Sequence, residues 1–241
     1  MINPGNLLEQ FLGADAARSM QQTGGAAKQR LDNAGLGGFG GGALAGGLLG
    51  LMMGNKKMRK MAGGMVGYGG AAAAGALALK AYQNWQQGQA PATAPLATPA
   101  DIPQQGQRFF PGATPAANGQ PFELMMVKAM IGAAKADGHI DAEEQKSIFE
   151  QVEKLGLDAE SKAFVFDTLT RPVDIGEIAA SAQGIEQATE LYLVSRLAID
   201  PDHPAERAYL QALGHRLNLP AELIAHLDHQ VADAQIGRAH V

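Results

Sequence analysis

The chain has 241 residues, enough for one or two domains around a core of roughly 100–150 residues. It has no cysteine, which excludes disulfides, thiol catalysis and thiolate metal sites. The net charge of −5 hides a split: residues 1–100 carry eight Lys/Arg and three Asp/Glu, residues 101–241 eleven and twenty-one. A basic, Gly-rich front and an acidic, periodic back imply two parts. No basic patch interleaved with aromatics is present, so the front points to membrane lipid and excludes nucleic acid as a partner.

Residues 1–34 read as an N-terminal tail. Leu7, Leu8, Phe11 and Leu12 form a short amphipathic patch, suited to lying on a membrane surface or to a disordered tail. A cleaved signal peptide is not expected, because no basic region precedes an early apolar run.

Residues 35–82 read as a Gly-zipper membrane segment. Residues 33–55 and 61–79 are uncharged, and Lys56, Lys57, Arg59 and Lys60 lie between them. A helix of about 20 residues spans a hydrocarbon core of roughly 30 Å, so a helical hairpin is expected, or a single span. Gly38, Gly42, Gly46, Gly50 and Gly54 recur every four residues, as do Gly63, Gly67, Ala71 and Gly75. Each glycine weakens a helix in water by about 1 kcal/mol, but in a membrane such a stripe lets helix backbones pack closely. That packing could also join copies into a homo-oligomer. The competing reading is a flexible Gly-rich linker. Tyr82 and Trp85, beside Lys80, suit an interfacial aromatic anchor.

Residues 83–121 hold seven of the twelve prolines and read as a Pro/Ala/Gln linker, extended and largely unstructured. Phe109 and Phe110 are candidates to dock on the domain that follows, or an exposed pair.

From Phe122 onward the pattern is all-α. Apolar spacing predicts helices over 122–136, from Asp141 to Leu155, and over about 158–170, 174–182 and 185–199. Two more follow Pro204 and Pro220, giving a bundle of about seven helices over 122–235. The stretch Asp137–Glu144 looks like half of a calcium loop. With Gly138 at loop position 6, however, Ala133 and Lys135 fall where the first two ligands belong, so the EF-hand pattern fails.

An internal echo gives a different reading. A helix ends, Asp137 follows, and Glu143 comes six residues later; Asp200 and Glu206 repeat that spacing after the 185–199 helix. Two such corners packed about a pseudo-twofold axis would gather four carboxylates, a hard-cation site for calcium, magnesium or manganese. The same residues also suit helix capping, because Asp favours turns and Glu favours first helical turns. His203, His226 and His229 are weaker candidates, read as a turn residue and a polar helix face. Ser147, Ser161, Ser181 and Ser195 lie in helical patterns without a strained turn, and no phosphate-binding loop is present. An enzyme is not expected, and no cofactor is implied beyond that divalent cation.

The segments AKADGHIDAEE and AIDPDHPAERAYLQALGHRLNLP resemble the TerB-like domain of tellurite-resistance proteins. The order of Gly-rich segment, Pro-rich tether and acidic helical domain is similar to YebE-type bacterial inner-membrane proteins of unknown function. The resemblance implies a two-repeat helical bundle with an acidic divalent-cation site, with Asp137, Glu143, Asp200 and Glu206 at the matching positions. Pro201 stands where the repeat has Gly. The Gly-zipper anchor and the tethered bundle together are read as an inner-membrane anchored, non-enzymatic interaction module with a protein partner, with a link to envelope or metal stress. An oligomeric scaffold acting through the Gly zipper is the alternative, and a metal-dependent enzyme a third. The last six residues, IGRAHV at 236–241, match a translated sequencing adapter, so the natural chain is expected to end or diverge near Gln235.

Overall fold

Among the described residues the chain forms seven α-helices joined by turns, with helical residues also at 4–5 and 7–8 and no strand. This computed structural model describes residues 2–5, 7–8, 70–101, 103, 107–110, 113–136, 159–199, 201 and 203–236. The helices are α1 (Gly70–Gln86), α2 (Phe122–Ala134), α3 (Ala159–Thr170), α4 (Ile175–Ala180), α5 (Gly184–Ala198), α6 (Pro204–Arg216) and α7 (Ala221–Ile236).

Helices α2 and α5 form the centre. Ten of the thirteen α2 residues are buried, and so is every α5 residue from Gln187 to Ala198. The α2 sequence is apolar around most of the helix, as expected of a helix packed on all sides, whereas α5 also buries Gln187, Thr189, Glu190, Ser195 and Arg196. Phe122, Met126, Met130, Leu191 and Leu193 are almost fully enclosed, each worth about 1.5–3 kcal/mol of burial. Gly132 lets α6 approach, because a Cβ there would meet the Tyr209 hydroxyl at 2.8 Å.

Local signals set the ends. Asp174 caps α4 by accepting from the backbone N–H groups of Gly176 at 2.7 Å and Glu177 at 3.3 Å. Helix α6 begins at Pro204, where the missing N–H costs nothing, and stops at Asn218, whose φ is 52°. The Leu219 N–H then donates to the Gly214 carbonyl at 3.1 Å, closing the helix end.

Helix α1 corrects the membrane hairpin. Ala-rich sequence favours helix, and its small residues Ala74, Ala78 and Ala81 line one buried face. That face packs on α7 and α5. Residues 70–79, expected in the second span, are therefore part of the bundle. Residues 61–69 alone would make only about 14 Å of helix, too short to cross a hydrocarbon core. Among the described residues, no helix is long and apolar enough to cross a membrane. The first uncharged stretch and Gly38, Gly42, Gly46, Gly50, Gly54, Gly63 and Gly67 lie outside the described residues. Gly75 does not: a Cβ there would collide with the Phe109 carbonyl, so its small size serves contact within the bundle.

The segment after α1 is a strap, where an extended tether is expected. It carries two 3-10 turns, Pro91–Thr93 and Pro99–Asp101. Asn84 Nδ2 donates to the Pro95 carbonyl at 2.8 Å, and Lys80 pairs with Asp101 at 3.1 Å. Burial acts to raise the Asp101 carboxyl, but hydrogen bonds from Thr98 and Lys80 outweigh it and hold it below its ordinary range. Tyr82 stacks on Trp85 and on Phe109, with ring centroids 5.6 and 5.3 Å apart. The aromatic pair expected as an interfacial anchor thus packs, partly buried, against the bundle and strap. Leu7 and Leu8, read as a surface or tail patch, are buried in the same core.

Candidate functional site

Of the four carboxylates expected to hold a cation, Asp137, Glu143 and Asp200 lie outside the described residues. Glu206 does not, and it sits in the first turn of α6. Its Oε2 accepts from the His203 backbone N–H at 3.4 Å, while His203 Nδ1 accepts from the Ala205 N–H at 3.2 Å. This reciprocal cap is the capping role foreseen for Glu206. It also makes His203 the exposed first residue of that cap.

The second corner carries positive charge of its own. Arg196 Nη1 donates to the Ile199 carbonyl at 2.9 Å, and Arg207 Nη1 donates to the Pro201 carbonyl at 2.9 Å. Arg196 also pairs with Asp228, at 3.5 Å. Among the described residues, no group of three or more His, Cys, Asp or Glu side chains is arranged to hold a metal ion. Beside the first corner, Lys135 Nζ donates to the Leu169 and Arg171 carbonyls, the latter at 2.6 Å, capping the end of α3. Burial pushes the Lys135 ammonium below its ordinary pKa.

His226 and His229 face the strap. His226 is 1% exposed, with Nε2 at 3.0 Å from the Gln89 carbonyl; His229 Nε2 is 3.3 Å from that of Ala94. They are latch residues of α7.

Among the described residues, one buried carboxyl has an oxygen without a hydrogen-bond partner, that of Glu190 in the middle of α5. It is 3% exposed, and its Oε1 has no hydrogen-bond partner. Burial, with the nearby carboxylates of Glu123 and Glu186, pushes its pKa up to about 8. It lines a cavity of about 260 Å³ between the strap, the start of α2 and the first half of α5. Phe109, Phe110 and Phe122 supply aromatic walls. Arg108 closes one side through a 2.7 Å ion pair with Glu186.

Side-chain amides hold the strap over this cavity. Gln187 Nε2 donates to the Thr114 and Pro115 carbonyls at 3.1 and 3.0 Å, and Gln183 Nε2 to that of Pro115 at 3.0 Å. The Ala117 N–H donates to the Ser181 carbonyl at 2.8 Å. Phe109 docks here as one sequence reading had it, buried but with φ at 65°, a strained backbone for an aromatic residue. Sequence reasoning missed Glu190. The signal was its register: Glu190 shares a helical stripe with Gln187, Val194 and Leu197, all inside a helix buried from Gln187 to Ala198.

A second groove, of about 310 Å³, lies between α2, α3 and α4. Its charges are matched: Lys128 pairs with Glu177 at 2.5 Å and Arg171 with Asp167 at 2.8 Å.

Residues 38–231 match the model of a family described as "Protein of unknown function (DUF533)". The chain is similar to an "Uncharacterized protein in ampR 5'region" of Yersinia enterocolitica, 34% identical over 123 residues, 51% of this chain and 84% of that protein. No solved structure matches. With its helical bundle and most of its length inside the matched region, the chain belongs to the DUF533 family of proteins of unknown function.

Proposed function

We propose that the chain is a membrane-associated, non-catalytic interaction module of the bacterial inner membrane, held close to the bilayer by its Gly-rich arm. The observation that carries this reading is the junction. The Gly-rich stretch runs directly into α1, whose Ala74, Ala78 and Ala81 are buried in the bundle. With residues 33–55 as a single span and the Lys56–Lys60 cluster at the surface, only residues 61–69 separate membrane from bundle. Fully extended they reach roughly 30 Å. The acidic balance of residues 101–241 favours a protein partner over anionic lipid for the bundle itself. The resemblance to TerB-like domains supports a divalent cation at Asp137, Glu143, Asp200 and Glu206 as a tuning ligand. The four-residue glycine spacing supports a second reading, an oligomeric scaffold joined through the arm.

The test is fractionation of membranes carrying the 241-residue chain, washed with alkaline carbonate. The chain is expected to stay with the membrane. Leu44→Arg with Leu48→Arg, each costing about 2.5–3.5 kcal/mol at a span centre, is expected to release it. A native chain that washes off would overturn the anchor. Crosslinked oligomers unchanged by Gly46→Leu would overturn the scaffold reading.

A further inference from the structure

Native interiors rarely leave a buried carboxylate oxygen without a donor, because the unmet group costs free energy that folding must offset. Glu190 has such an oxygen, and it lines a cavity. We propose that this cavity binds a small alkylammonium ion between the Glu190 carboxylate and the rings of Phe109, Phe110 and Phe122.

Charge selects a cation. Glu123 and Glu186 add negative potential at Glu190, and Arg108 is the positive group that faces the cavity. Its guanidinium is bonded to Glu186, with the side chain 80% exposed, so it meets solvent and leaves Glu190 unmatched. A neutral donor would satisfy the orphan oxygen but not this field. Ligand chemistry then selects an organic cation over a metal. Calcium takes six to eight oxygen ligands, and magnesium near-octahedral ones, whereas no group of three such side chains converges among the described residues. Aromatic faces, in contrast, attract an ammonium within about 6 Å of the ring centroid.

Size and strain agree with this. A 260 Å³ cavity lies just below the roughly 300–1,000 Å³ of ordinary ligand pockets, which suits a compact cation. Phe109 holds a left-handed backbone while its ring is fixed against Tyr82. Strain of that kind in a bulky residue concentrates at ligand clamps. The hydrogen bonds of Gln183 and Gln187 to the strap hold the clamp closed.

Tetramethylammonium is the probe, since its charge is fixed at every pH and any pH dependence belongs to the protein. Calorimetric titration of the 241-residue chain is expected to show saturable binding at about pH 9, and about tenfold weaker binding at about pH 6. Near neutrality the heat should vary with the ionisation enthalpy of the buffer, because Glu190 gives up a proton on binding. Tert-butyl alcohol, a neutral mimic, is expected to bind more weakly. Glu190→Gln should weaken tetramethylammonium by about tenfold and remove the pH dependence. Phe110→Leu, at a half-buried wall, should weaken it with the pH dependence kept, which holds the test open if Glu190→Gln fails to fold. Absence of saturable heat, equal affinity in Glu190→Gln, or the same heat from sodium chloride would each overturn the site.

Discussion

Gln230 and Ala97, far apart in sequence, are joined by a 2.9 Å hydrogen bond from the Ala97 backbone N–H to the Gln230 side-chain carbonyl. The same amide donates to the Pro95 carbonyl at 2.9 Å. One side chain of α7, itself 1% exposed, therefore meets two backbone groups of the strap. Replacing Gln230 by Ala would leave the Ala97 N–H without this partner, at about 1–3 kcal/mol where water cannot reach it, while the Pro95 carbonyl keeps its bond from Asn84. Thermal melts should show the loss, and hydrogen exchange at the Ala97 amide should accelerate more than that in α2.

Gly75→Ala pits two effects against each other. Alanine improves an exposed helix by about 1 kcal/mol, whereas overpacking a tight contact costs about 1–3 kcal/mol. Because the new Cβ would strike the backbone carbonyl of Phe109, which cannot rotate away, the second effect should win. A lowered melting temperature is the expected result, and a raised one would show that the strap yields.

Glu190 should make stability depend on pH. Its folded pKa of about 8 lies above the ordinary 4.5, so the folded state holds a proton that the unfolded chain releases between those values. The stability it contributes is full below about pH 4.5 and is lost as pH rises through about 8. Glu190→Gln should remove that component, and the gap between the two proteins should widen toward pH 9 to about 2–4 kcal/mol. Urea titrations across this range measure it directly.

Lys135→Met keeps the aliphatic stem but removes the ammonium from the carbonyls at the end of α3. A loss of about 1–3 kcal/mol is expected, with faster amide exchange confined to the last turn of α3. Uniform loosening of the whole bundle would argue that Lys135 supports more than that cap.

The helices were legible where periodicity and punctuation agreed. The stretch 158–170, the one near 185–199 and the starts after Pro204 and Pro220 lie within a residue or two of α3, α5, α6 and α7. The strap was not legible, for a physical reason. Its composition is that of a linker, and it is held through backbone carbonyls by Gln183, Gln187, His226 and Gln230, side chains that read as solvent-facing on a helix. Glu190 was hidden in the same way, since a carboxylate in a helix reads as surface until its neighbours are known. Helix α1 was misread because alanine serves equally well in a span and in a close helix contact.

The pairing of α1 with α7 has a consequence for how the protein is made. The first of these helices leaves the ribosome about 150 residues before its partner is complete, a wait of about 8–30 s at ordinary rates of synthesis. During that interval the Ala74, Ala78 and Ala81 face lacks its α7 partner, and the strap has no α7 on which to latch. The N-terminal arm is therefore free to find its destination before the bundle can shut. Completion of the last helix is the event that locks the order of assembly.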